Sequence, residues 1–209
     1  MKMRRKLPSD VITEQDLKIS SRPLKMSDVA VHSGIARSIK NRELIKLKRG
    51  LYVFGKELRK KNVSKFEIAN KMYGPSYISF ESALSYHGMI PEAVYVTTSA
   101  CSQSKKKKYS TPLGDYTFEY VPCDPFFTGV VRRDGNLVAT PIRALFDYVY
   151  ARKKEYTEFK ELESDLRINE ETLKKSIDKH NYANIEQLAS MYKKKHVKQF
   201  FDLLMRHFK

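Results

Sequence analysis

The chain has no tryptophan, two cysteines and eight glycines in 209 residues, and its acidic side chains are outnumbered. Each shortage excludes something. Cys101 and Cys123 cannot form the disulfide framework of a small secreted scaffold, and they lack the paired CxxC spacing of a zinc site. No apolar run approaches the ~18 residues of a membrane span. The opening MKMRRKLPSD is basic but has no apolar core of a secretory signal, so a cytoplasmic, membrane-free setting is expected. There is no P-loop and no GxGxxG, and the histidines at 32, 87, 180, 196 and 207 are scattered without metal-ligand spacing. Asp115 and Glu119 approach the Asp…Glu-x-Lys pattern of a nuclease, but Val121 stands where the lysine belongs. The expectation is a protein that is not an enzyme, with no catalytic residues, no metal and no cofactor.

What the chain does have is basic charge, unevenly placed. Lys and Arg number 40 against 24 Asp and Glu, for a net charge of +16. Residues 1–61 hold 17 basic and 6 acidic groups, net +11, whereas 62–150 are close to neutral. A hydrophobic content of 41% is that of a folded protein. The excess charge favours an anionic partner, and it sits in the first third.

That third reads as helices followed by a hairpin. Val11, Ile12, Leu17 and Ile19 suggest a short first helix that Pro23 ends. Leu24, Met26, Val29 and Ala30 suggest a second apolar helical face, Ser33-Gly34 a turn, and 35–42 a further helix with Ile35 and Ile39 facing in. KLKRGLYVF reads as two strands turning at Arg49-Gly50. Helix, turn, basic helix and hairpin is the order of a winged helix-turn-helix. On that reading Arg37, Ser38, Lys40, Asn41 and Arg42 face outward. Arg can take guanine and Asn adenine in the major groove. Lys46, Lys48 and Arg49 lie on the wing and can neutralise phosphates. A solvated basic helix is the plainer alternative.

Further along, a charged linker at 55–62 precedes a helix at 64–73, a strand at Tyr77-Ile78, and a helix FESALSYHG stopped by Gly88. AVYVTT (93–98) and TFEYV (117–121) read as strands, as do 127–131 and 137–139. Pro141 fits the first turn of a helix reaching Arg152, and helical periodicity continues to 209.

ELIKLKRGLYVF, YISFESALSYHGMIPEAVYVTT and LVATPIRALFDYV together resemble the AbiEi-type antitoxins and regulators, a family of type IV toxin-antitoxin and abortive-infection systems. The resemblance covers about 25–150. It implies a transcriptional autorepressor binding repeated double-stranded DNA sites in its own promoter. It also implies an antitoxin that opposes a nucleotidyltransferase-like toxin, as in phage defence. The turn before the wing carries Glu43, where the family commonly has Gly. The expected fold is α+β: a winged helix-turn-helix over 1–61 and an α+β domain with a helical extension over 62–209. An orphan regulator without a toxin, or an RNA- or protein-binding adaptor, are the alternatives.

Other features have two readings each. Lys105, Lys106, Lys107 and Lys108 form either a solvated hairpin loop or a second nucleic-acid contact. Glu81 is a structural hydrogen-bonding group or a cleft contact, and Asp147 is expected to pair with Arg143 one helical turn earlier. The aromatic end KKKHVKQFFDLLMRHFK either packs on the second domain or offers a partner surface.

Overall fold

A computed structural model describes residue 7 and residues 9–60, 62–178 and 182–208. The basic tail 1–6 with Pro8, Lys61 at the expected domain boundary, His180, and the side chain of Leu24 lie outside the described residues. The architecture is α+β, with nine α-helices and two sheets among the described residues.

The first sheet has the order β1-β3-β2, from Val11–Thr13 (β1), Leu44–Lys48 (β2) and Leu51–Phe54 (β3). Val11 and Ile12 therefore belong to a strand and not to the expected first helix. They pair with Val53 and Tyr52 of β3, and that tertiary partner overrides the local helical spacing. Thr13 then caps α1 (Glu14–Ser21): its hydroxyl accepts the Asp16 N–H at 3.1 Å, and the Asp16 carboxylate accepts the Thr13 N–H at 2.8 Å. Pro23 sits in the 3-10 turn Arg22–Leu24, where its missing N–H costs nothing. Ser27 caps α2 (Asp28–Lys40) by accepting the Ala30 N–H at 3.2 Å. The expected turn at Ser33-Gly34 is not there, because α2 runs straight through both residues. The turn between the two helices lies at 22–27 instead. The hairpin is as expected, with Gly50 at φ 76° beside Arg49.

Period-two alternation divides this sheet between two cores. Ile12, Leu44, Tyr52 and Phe54 bury against Leu17, Val31 and Ile35 of α1 and α2. Val11, Leu47, Leu51 and Val53 face the other way and join the main core with Ile68 and Met72 of α3 (Lys65–Met72). The Lys71 ammonium donates to the Val11 carbonyl at 2.7 Å, and the Lys60 N–H donates to Asp10 at 2.8 Å.

The second sheet is mixed, with order β6-β7-β5-β4-β9-β8. Its strands are Ser76–Ile78 (β4), Thr97–Cys101 (β5), Lys107–Thr111 (β6), Gly114–Tyr120 (β7), Val130–Arg133 (β8) and Asn136–Ala139 (β9). β5 begins four residues later than AVYVTT suggests. Its pairing begins at Thr97 with Tyr116 of β7 and at Ser99 with β4, and neither neighbour reaches 91–96, which stay irregular. The expected strand at 127–131 likewise begins at Val130. Lys107 and Lys108 are strand residues, so the tetralysine run is only partly a loop.

Helices α4 (Phe80–Tyr86) and α5 (Pro141–Arg152) pack on the sheet, and α6 (Phe159–Leu166), α7 (Glu170–Asp178), α8 (Tyr182–Ser190) and α9 (Lys195–Phe208) pack around α5. Phe200, Phe201, Leu203 and Leu204 are buried, so the aromatic end of the chain is spent on internal packing. The expected Arg143–Asp147 pair forms at 3.1 Å with both side chains fully buried. Asp147 also accepts from Tyr77 at 2.9 Å, Ser79 at 2.6 Å and Tyr192 at 2.6 Å. Arg143 donates to the Thr128 carbonyl at 2.8 Å. Burial, and then the Asp147 charge, push both phenols well above the ordinary tyrosine range. This network ties β4, α4, α5 and the turn after α8 together.

No helix among the described residues is long and apolar enough to cross a membrane.

Candidate nucleic-acid interface

The exposed side of α2 and the hairpin that follows it bring most of the expected residues together. Arg37 and Lys40 are exposed on the last turn of α2. Asn41 is the C-cap residue, its N–H donating to the Arg37 carbonyl at 2.9 Å, and its side chain is exposed. Arg42 follows with φ 59°, also exposed. That left-handed step turns the chain sharply from helix into β2. The turn is closed by the Glu43 N–H on the Ser38 carbonyl at 2.9 Å, and by the Gly55 N–H on the Glu43 carbonyl at 2.7 Å. Gly55 has no substitute here, because a Cβ would collide with the Arg42 carbonyl oxygen. Lys46 on β2 and Arg49 in the hairpin turn are exposed.

Two expected residues are placed differently. Ser38 is buried, and its hydroxyl donates to Glu43 at 2.8 Å. With the helix starting at Asp28, Val31, Ile35 and Ser38 fall on one inward stripe, so Ser38 is not an outward group. The same bond turns the Glu43 carboxylate inward, away from the exposed face. Lys48 is half-buried, with its ammonium 5.5 Å from the centre of the Tyr109 ring on β6. Burial pulls its pKa below the ordinary lysine value. It joins the hairpin to the second sheet rather than standing free at the hairpin tip.

Sequence reasoning missed the first half of α2. Val29, Ser33 and Ala36 are exposed on the same side as Lys40. From 29 to 42 the chain holds no carboxylate. Asp28, at the helix start, is engaged by Lys18 at 3.2 Å, and His32 sits 2.9 Å from Glu14. The signal was available: with Ser27 as cap, the spacing 31, 35, 38 defines the buried stripe and its opposite face follows. Reading Gly34 as a turn hid it.

The tetralysine run is split by strand alternation. Lys106 pairs with Glu119 at 3.0 Å and, with Lys108, lines a cleft of about 580 Å³. Lys107 lies in register with Phe118, on the side of the strand where Tyr109 meets Lys48, while Lys105 is exposed in the preceding loop. Within the cleft Arg152 holds Glu81 at 2.9 Å and Glu119 at 2.9 Å. Glu81 is thus both a structural ion-pair member and part of a cleft wall. Arg152 is further stacked near the Phe80 and Tyr148 rings. Every carboxylate of this cleft has a cationic partner, since Lys154 takes Asp165 and Arg167 takes Glu92.

No family model and no curated protein matches the chain. Among solved structures, the chain is similar to the RV2827C protein from Mycobacterium tuberculosis, with a TM-score of 0.63 and 14% identity. The superposition covers 98% of this chain and 74% of the other. At that identity the likeness is one of fold.

Proposed function

We propose that the N-terminal unit is a winged helix-turn-helix that binds double-stranded DNA, with α2 as its recognition helix and the β2–β3 hairpin as its wing. The observation that carries this is a single exposed, carboxylate-free face running from Val29 to Arg42, continued by Lys46 and Arg49 at the hairpin. Such a face offers base-edge readers and phosphate anchors side by side. Arg37, Asn41 and Arg42 can reach base edges, and Lys40, Lys46 and Arg49 can neutralise phosphates.

The wider role we propose is that of a transcriptional autorepressor acting on repeated sites in its own promoter, and of an antitoxin opposing a nucleotidyltransferase-like toxin. This rests on the resemblance of FESALSYHG and TPIRALFDYV to the AbiEi-type signatures. In support, the two segments form neighbouring helices α4 and α5, joined where Ser79 donates to Asp147. Co-expression with the product of an adjacent nucleotidyltransferase-like gene tests the antitoxin role, with rescue of growth expected.

A gel-shift titration against the chain's own upstream region tests the DNA reading. A scrambled duplex and the Arg37→Ala/Arg42→Ala variant run beside it. Preference for the upstream duplex, lost in the variant, is expected, with about 1–3 kcal/mol for each base-reading contact. Equal, steeply salt-dependent binding to both duplexes would mean a general polyanion surface and end the autorepressor reading.

A further inference from the structure

Val29 is 75% exposed, on the first turn of a 13-residue helix whose other face is well packed. A single exposed apolar residue is ordinary on a protein surface; what singles out Val29 is its place on the face proposed to meet DNA. Its surroundings narrow the choice of partner. At 100° per residue, Ala36 and Lys40 lie within about 20° of Val29 around the axis and Ser33 within about 40°. The strip is therefore smooth and apolar at the helix start and basic at its end. No acidic group interrupts it. A docked protein helix would meet small residues and two cations; a groove of duplex DNA meets a shape that fits closely, with the cations left for the backbone. Recognition helices place their N-terminal residues on base edges, and an apolar side chain there has one apolar feature to meet, the C5-methyl group of thymine.

We infer that Val29 is a specificity-determining residue that packs on a thymine methyl in the major groove, with Ser33 and Ala36 allowing the helix to approach closely. This rests on the DNA-binding reading above and deepens it. It also extends base readout toward the N-terminus, about two turns from Arg37 and about three from Asn41.

The test is a binding titration of wild type and Val29→Ala on two versions of the upstream duplex. One carries thymine and the other carries uracil at every thymine of the protected region, which removes only methyl groups. Loss of one buried methyl contact corresponds to roughly fourfold in affinity. Wild type is expected to weaken by at least that factor on the uracil duplex. Val29→Ala should bind both duplexes equally, at about the level of wild type on uracil. Val29 is exposed and alanine favours helix, so the variant keeps its fold; circular dichroism checks this. If Val29→Ala keeps the full preference for thymine, or binds the thymine duplex as tightly as wild type, the assignment is wrong while the DNA-binding reading stands. If the variant instead loses self-association in sedimentation with DNA affinity unchanged, Val29 is a protein contact and the assignment is overturned. Failure of wild type to prefer its upstream duplex over a scramble at all would remove the underlying reading as well.

Discussion

Gly34 sits inside α2, and a Cβ placed there meets nothing within 4 Å. Glycine in a helix interior costs backbone entropy without any packing return, so Gly34→Ala should stabilise the protein by about 0.5–1 kcal/mol in urea denaturation. Gly55 is the opposite case. Gly55→Ala drives a methyl into the Arg42 carbonyl and should cost several times that amount, as overpacked sites do. The two glycines look alike in the sequence, and this is why the candidate interface was only partly legible there. Arg37, Lys40, Asn41, Arg42, Lys46 and Arg49 were readable as exposed because the charge of the five cations and the amide of Asn41 keep them in water. Ser38 was not, because a serine is equally at home on either face until its partner, Glu43, is known.

Elements were legible where their own ends carry the signal. α5 starts at Pro141 and stops at Lys153, whose left-handed φ of 51° ends the helix, and its expected span matches Pro141–Arg152. β5 was misplaced because its limits, Thr97 to Cys101, come from its pairing with β7, a fact of the tertiary fold that β-branched content cannot encode. The Arg143–Asp147 spacing was readable, but its depth was not: Tyr192, 45 residues away, supplies one of the donors. Asp147→Ala leaves a fully buried guanidinium without its counter-charge and should cost about 3–5 kcal/mol by urea denaturation. Tyr192→Phe removes one donor while Asp147 keeps three others, and a loss of about 1–2 kcal/mol is expected. A double-mutant cycle of Tyr192→Phe with Ser79→Ala should be non-additive, since both donate to one carboxylate.

Across the whole molecule the +16 charge acts as a long-range attraction whose strength depends on salt. If Lys46 and Arg49 each neutralise one phosphate, their joint replacement by Ala should make the slope of log K against log salt shallower by about 2, while the preference for the upstream duplex over a scramble is kept. The Arg37→Ala/Arg42→Ala variant should differ by losing that preference. Composition pointed to the first third of the chain, and there Arg37, Lys40, Arg42, Lys46 and Arg49 are exposed on α2, the turn after it and the hairpin. That sheet is also where the molecule is least free to change. All four residues of β3 are buried, Leu51 and Val53 in one core and Tyr52 and Phe54 in the other. A strand with a solvent side can drift in sequence on every second position, but β3 has no such position. In a library of random substitutions selected only for folding, 51–54 should therefore be among the most depleted of the chain, although the strand need touch no ligand at all.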